Sequence, residues 1–213
     1  MKFHHIAIEG PIGVGKTSLV EKLAEKFDAH LVMENVENPF LKDFYEERPG
    51  AAFRAQLFFL LNRHQQQVDL AQRHLFQQLT ISDYVFAKDK IFAYLNLTDS
   101  ELLVYDRLYK LLEPQVRKQD LAIYLHASTE VLLGRIMSRR RDFEREISAG
   151  YINQVNEAYN HYFFHYKETP LLVIDTTQID FVHETADLDD LVARIRSMDR
   201  GVQYYNPLPS SEK

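Results

Sequence analysis

Short apolar runs alternate along the chain with longer stretches in which apolar residues recur every three or four positions. Phe3-His4-His5-Ile6-Ala7-Ile8 reads as a buried strand, and Leu31–Met33, Leu79–Ile81, Leu121–Leu125 and Leu171–Ile174 predict four more. Helical spacing predicts a helix from Thr17 to Phe27 and a short one from Phe40 to Glu47, stopped by Arg48-Pro49-Gly50. A long helix should run from about Ala51 to Phe76, with Phe53, Leu57, Leu60, Leu61, His64, Val68, Ala71 and Leu75 as its buried stripe. Lys88 to Leu97 is helical, and Thr98-Asp99-Ser100-Glu101 has capping-box form and opens a helix to about Arg117. Helices are also expected over Thr129–Ser138, Tyr151–Lys167 and Leu188–Met198, with a polar tail over about 201–213. Strands alternating with helices predict an α/β fold: a five-stranded parallel sheet covered by helices on both faces, in a single domain over 1–213.

Composition narrows the class. Hydrophobic residues make up 46% of the 213 positions and charged ones 26%, as in ordinary globular chains. A formal net charge of −6 argues against a sequence-independent grip on nucleic acid. The absence of cysteine excludes disulfides and thiolate metal sites. There is no signal-peptide pattern and no apolar run near the ~18 residues that span a bilayer, so a cytoplasmic protein without a membrane partner is expected.

The first strand and first helix are joined by Gly10-Pro11-Ile12-Gly13-Val14-Gly15-Lys16-Thr17, which fits G-x-x-x-x-G-K-[ST] at every fixed position. This context turns backbone N–H groups and a helix N-terminus towards a polyphosphate. Gly10, Gly13, Val14, Gly15, Lys16, Thr17 and Ser18 are therefore expected to hold ATP. Lys16 would reach the β- and γ-phosphates and the Thr17 hydroxyl would bind Mg²⁺.

In open α/β sheets ligands gather at the carboxyl ends of strands, where this chain places Glu34 and Asp83. Glu34, with Glu37 nearby, would repel a nucleoside monophosphate but suit a neutral hydroxyl that must lose a proton. The plain alternative is a solvated loop carboxylate.

Together these residues resemble the deoxynucleoside kinase family, from roughly Ile6 to Leu191. The resemblance implies a P-loop kinase fold with an arginine-rich lid at about 139–149, and ATP-dependent phosphorylation of a deoxynucleoside 5′-hydroxyl. It makes Glu34 the general base, Tyr45 a sugar contact, and Gln56, Arg63 and Asp89 readers of the base. Arg135, Arg139 and Arg141 become lid arginines over the phosphates, and Glu144 a second sugar contact. Asp180-Phe181 becomes the loop around the donor adenine, and Asp83 an aid to Mg²⁺. A homodimer is expected, because the family is commonly dimeric. Gln56 and Arg63 lie two helical turns apart and share a face, as do Arg135 and Arg139. A polar rim for Gln56 and a solvated end for the arginine run are the bland alternatives.

Two positions depart from the family pattern. Asp83-Tyr84-Val85 stands where an arginine often follows the acidic residue, as in a bacterial branch associated with deoxyguanosine, which suggests a purine substrate. Arg140 replaces a common lid glycine. His161 and His165 lack a zinc-protease context, Tyr105-Asp106-Arg107 reads as surface charge, and Tyr159, Tyr162, Phe163, Phe164 and Tyr166 read as core or subunit contact. A thymidylate-kinase-like nucleotide kinase and a non-catalytic nucleotide-binding regulator are the competing functions.

Overall fold

The computed structural model describes residues 2–73, 79–139, 147–179, 181 and 184–206; of residues 71–73 and 139 it describes the backbone alone. In chain order the elements are β1 (His5–Glu9), α1 (Lys16–Phe27), β2 (His30–Val32), α2 (Leu41–Tyr45), α3 (Ala51–Arg73), β3 (Thr80–Ser82), α4 (Lys88–Asn96) and α5 (Asp99–Leu112). They continue with β4 (Leu121–His126), α6 (Thr129–Arg139), α7 (Ala149–Phe164), β5 (Leu171–Asp175), α8 (Thr185–Ser197) and β6 (Val202–Tyr205). The described residues fall into two compact units, one within Met1–Met33, Gln78–Val85 and Gln119–Lys213, the other within Glu34–Gln77 and Phe86–Lys118.

The first unit is built on a parallel sheet of six strands in the order β2-β3-β1-β4-β5-β6. The sequence pattern predicts five. The sixth, β6, pairs with β5 from Leu171↔Val202 to Ile174↔Tyr205, in the stretch assigned above to the polar tail. Valine and tyrosine favour extended backbone. Four residues on a half-exposed edge, followed by polar sequence, give too short an alternation to register. The inner strands behave as a doubly covered sheet requires: all five residues of β1 and the first five of β4 are buried. Ile6, Ile8, Leu19, Leu23, Ile123 and Leu132 belong to one core cluster of this unit. Tyr159, Phe163 and Tyr166 join the interior, with Phe163 stacked on Tyr124 at 4.2 Å, whereas Phe164 is 78% exposed.

The carboxyl end of β1 is fastened before the loop begins. Glu9, fully buried, accepts hydrogen bonds from Gly10 N (2.9 Å), the Tyr159 hydroxyl (3.1 Å) and Val85 N (3.1 Å). One carboxylate thus joins β1, α7 and the segment after β3 through charge-assisted bonds. Directly after it, a Cβ on Gly10 would sit 2.3 Å from the Leu125 carbonyl oxygen of β4, so no side chain fits.

The second unit is helical. Leu60, Phe86, Ala93, Leu97, Tyr105 and Tyr109 form its apolar cluster, and α5 opens with the predicted capping box of Thr98 and Glu101. That helix ends at Leu112 in a 3₁₀ turn holding Pro114, short of the expected Arg117. The buried face of α3 is Ala51, Ala55, Gln56, Leu60, Arg63, Gln67 and Leu70, and Leu61 is 53% exposed. The predicted stripe holds through Phe53, Leu57 and Leu60, which belong to the apolar cluster or pack against it, but it leaves out the buried polar Gln56, Arg63 and Gln67 and wrongly includes Leu61. Of the predicted stripe, the Ala71 side chain and Leu75 lie outside the described residues. Tyr105 corrects the reading of Tyr105-Asp106-Arg107 as surface: it is fully buried, while Arg107 is exposed. Among the described residues no helix is long and apolar enough to cross a membrane.

Gly10→Ala is expected to lower stability in urea unfolding by ~3 kcal/mol, since backbone must move to admit the methyl. Gly50→Ala, at φ +69 but with nothing within 4 Å, should cost only ~1 kcal/mol. Equal losses would show that Gly10 serves conformation rather than close packing.

Candidate functional site

The loop from Gly10 to Thr17 is shaped by three positive-φ glycines, Gly10 (158°), Gly13 (86°) and Gly15 (104°), the last capping α1 in left-handed geometry. The Phe181 ring packs behind the loop, 3.1 Å from where a Cβ on Gly15 would lie, and is 4% exposed. Lys16 Nζ donates to the loop's own carbonyls, Gly10 O at 2.5 Å and Pro11 O at 3.2 Å. The ammonium therefore already sits over the loop. Val14, Thr17 and Ser18 occupy the loop and the first turn of α1, in the predicted order. From α6, Arg135 donates to Val14 O (3.2 Å), the Thr176 hydroxyl (3.1 Å) and Thr176 O (2.6 Å). It clasps the phosphate loop to the turn after β5, a contact that residue spacing does not foresee.

Asp83 follows β3, the strand beside β1, and is buried; Tyr84 next to it is fully buried. Asp83 and Thr17 offer the hard oxygen donors that Mg²⁺ prefers, few enough to leave positions for water and phosphate. Among the described residues no group of three or more His, Cys, Asp or Glu side chains could hold a metal alone.

The helical unit gathers the other predicted residues. Arg63 Nη2 binds Glu34 Oε1 and Arg63 Nη1 binds Asp89 Oδ1, while Lys88 Nζ binds Glu34 Oε2 at 2.5 Å. Side-chain exposures are 9% for Glu34, 5% for Arg63, 9% for Lys88 and 0% for Asp89. Glu34 is thus no solvated loop carboxylate. The corner is not the negative one predicted either: two carboxylates meet two cations, and Glu37 stays exposed. Burial alone would raise the Glu34 pKa, but the Lys88 and Arg63 charges outweigh it and hold the carboxyl well below the usual range. Asp89 goes the other way. Complete burial lifts it to about 6, with Glu34 repulsion adding to the rise and Arg63 opposing it. Glu34 holds two cations and Asp89 only a shared one, which explains the opposite directions.

Gln56, 5% exposed, stands on the same face of α3 as Arg63. Gln56 Oε1, Asp89 Oδ2 and the Tyr105 hydroxyl are buried with no hydrogen-bond partner among the described residues. Stranded polar atoms such as these are costly unless something else completes them. Tyr45 closes α2, half-buried, with its ring tilted against Phe44 at 5.2 Å. Arg141, Glu144 and Asp180 lie outside the described residues, as does the Arg139 side chain.

Lys88 and Tyr105 are absent from the sequence-based site. Lys88 carries one signal in the sequence: a cation in the first turn of a helix opposes the macrodipole unless a carboxylate lies nearby.

A model of the deoxynucleoside kinase family matches residues 6–198. A Bacillus subtilis (strain 168) deoxyguanosine kinase is 35% identical over 199 residues, covering 91% of this chain and 96% of its own. A Lactobacillus acidophilus deoxyadenosine kinase is 31% identical over 193 residues, 83% of this chain and 87% of its own. Among solved structures, an M. mycoides deoxyadenosine kinase with bound dATP superposes with a TM-score of 0.76 at 24% identity, covering 91% of this chain and all of the other.

Lys88→Met should destabilise the protein at neutral pH by ~3 kcal/mol, because a buried carboxylate loses a cation. Glu34 has a depressed folded pKa, so its contribution is full above the unfolded value of ~4.3 and fades as pH falls through the folded one. The Tm gap between wild type and variant should therefore be widest near neutrality and narrow below about pH 4. A gap independent of pH would mean that Lys88 contributes packing and not charge.

Proposed function

The chain belongs to the deoxynucleoside kinase family, and from that premise we propose that it transfers the γ-phosphoryl group of ATP to the 5′-hydroxyl of a 2′-deoxynucleoside, with deoxyguanosine preferred. The observation that carries the base preference is the pair of buried acceptors Gln56 Oε1 and Asp89 Oδ2, which have no hydrogen-bond partner among the described residues. Such acceptors call for a ligand edge rich in N–H donors. Guanine presents a ring N–H and an adjacent amino group, whereas adenine presents one amino group beside a ring acceptor. Arg63, held by Asp89, supplies N–H donors to the remaining guanine acceptors. That one relative is named for deoxyguanosine supports this direction, although another is named for deoxyadenosine.

In the reaction the 5′-oxygen bonds to the γ-phosphorus, the bond to the β-phosphate oxygen breaks, and ADP leaves; the hydroxyl proton passes to Glu34. Lys16 and the loop N–H groups hold the polyphosphate, and Arg135 keeps the loop in shape. Thr17 and Asp83 would hold Mg²⁺, which supplies charge neutralisation on the phosphates. Tyr45 packs on the sugar, the lid arginines Arg139 and Arg141 balance charge on the transferring group, and Glu144 assists at the sugar. Asp180 borders the donor adenine. The working assembly is a homodimer in the cytoplasm.

Steady-state kinetics on the four deoxynucleosides, their monophosphates and guanosine provides the test. Deoxyguanosine should give the highest kcat/KM, and Gln56→Ala should reduce it by ~1–3 kcal/mol with a smaller loss for pyrimidines. Turnover of monophosphates instead would favour the nucleotide-kinase alternative, and no turnover of any acceptor would favour a binding protein.

Asp89 must be ionised to accept from the base, and its pKa of about 6 lies above the usual carboxyl value. The kcat/KM for deoxyguanosine should therefore fall as pH drops through about 6, and this limb should vanish in Asp89→Asn. An unaltered limb in the variant would remove Asp89 from base recognition.

A further inference from the structure

The phosphate loop begins beside a buried carboxylate, the wrong sign of charge for a polyphosphate site. Glu9 closes β1, is fully buried, and pairs with no cation among the described residues. Its charge would repel phosphate oxygens. Its hydrogen bonds supply the reason for keeping it. Gly10 N (2.9 Å) and the Tyr159 hydroxyl (3.1 Å) donate to Oε1, and Val85 N (3.1 Å) donates to Oε2. All three partners donate, so both oxygens must accept, which a carboxylate can do and an amide cannot. Gly10 in turn carries Lys16, whose Nζ donates to the Gly10 carbonyl oxygen at 2.5 Å. Val85 stands two residues after Asp83, and that segment has a second tie to β1. The Ser82 hydroxyl donates to Tyr84 O at 3.0 Å, and His5 Nε2 lies 3.0 Å from Ser82 Oγ. With its proton committed to Tyr84, the hydroxyl is left to accept from His5. Side chains of β1 thus hold the backbone on either side of Asp83.

We propose that Glu9 is a positioning residue for the donor nucleotide: one oxygen sets the amide of Gly10, on which Lys16 rests, and the other sets Val85, so that the phosphate loop and Asp83 keep a fixed separation. This role rests on the deoxynucleoside kinase reading and extends it to a residue outside the loop motif. Charge and position make opposite predictions. If Glu9 acted through its charge alone, neutralising it would tighten ATP. If it acts by position, neutralising it weakens ATP. Whichever way the amide of Glu9→Gln is turned, its NH₂ group faces a backbone N–H, that of Gly10 or that of Val85, and one of the two has to move.

Titration calorimetry of ATP in EDTA provides the test, since it needs neither turnover nor metal. Glu9→Gln should weaken ATP roughly tenfold, the scale of one lost charge-assisted hydrogen bond. Glu9→Asp keeps the charge but falls one methylene short, and should weaken ATP in the same direction. In steady-state assays both variants should raise the KM for ATP while the deoxynucleoside KM stays within about twofold of wild type. A purely structural role would reduce the amount of folded enzyme and leave both KM values where they are. Ser82→Ala removes the second tie without touching the loop. It should leave ATP affinity in EDTA unchanged and raise the Mg²⁺ concentration for half-maximal turnover about threefold or more. This milder variant keeps the Asp83 half of the proposal testable even where neither Glu9 variant folds. Tighter or unchanged ATP binding by Glu9→Gln would overturn the positioning role, as would equal rises in the two KM values. A wild-type Mg²⁺ requirement in Ser82→Ala would overturn the fixed separation of loop and Asp83. If wild type binds ATP but phosphorylates no deoxynucleoside, the functional reading falls while the calorimetry still decides on Glu9; if it binds no ATP, both fall.

Discussion

Burying charge is the constraint on which the helical unit is organised. Glu34, Arg63, Lys88 and Asp89 are each withdrawn from water, and an isolated ion in that position would be intolerable. The solution is a balanced quartet, two carboxylates and two cations, drawn from the segment after β2, from α3 and from the first turn of α4. Its members have to be held close together by α3, α4 and the segment after β2, because attraction at low dielectric repays desolvation only at close range. The apolar cluster of Leu60, Phe86, Ala93, Leu97, Tyr105 and Tyr109 provides that placement by fixing α3 and α4 with α5. Even so, one oxygen of Asp89 and that of Gln56 have no hydrogen-bond partner among the described residues, so the folded state keeps two acceptors already stripped of water.

Much of the sheet unit is legible from sequence, because its strands are bounded by glycine, proline and helical periodicity and their register follows from burial on both faces. The phosphate loop is legible for a stronger reason: its glycines and lysine are dictated by backbone geometry and ligand charge together. Glu34, Gln56, Arg63 and Asp89 could be named, and the structure brings Glu34, Arg63 and Asp89 into direct contact. Within the helical unit, what the sequence pattern hides is of one kind. The inward face of α3 carries Gln56, Arg63 and Gln67 beside the predicted Leu57 and Leu60, so a purely hydrophobic stripe catches only part of it and takes in the exposed Leu61. Lys88 looked like an ordinary charged helix residue, and Tyr105 shared a tripeptide with two polar neighbours. Polar groups that are buried are invisible to a pattern that equates polar with exposed. The strand β6 was missed for a different reason, since an edge strand of four residues has too few positions to display its period.

The phosphate loop is moulded from behind. Gly10 faces the β4 carbonyl of Leu125, Gly13 faces Leu132 and Ile136 of α6, and Gly15 faces the ring of Phe181. Arg135 adds a clasp on Val14, and Glu9 receives the amide at the loop's first residue. A chain segment supported at so many points has few conformations left to lose. Its ordering entropy is surrendered once, during folding, and is not charged again each time a nucleotide arrives. Under the proposed function, affinity for the polyphosphate then rests on electrostatic contacts made to a receptor already in shape, and changes in the packing behind the glycines reach the ligand as changes in binding entropy.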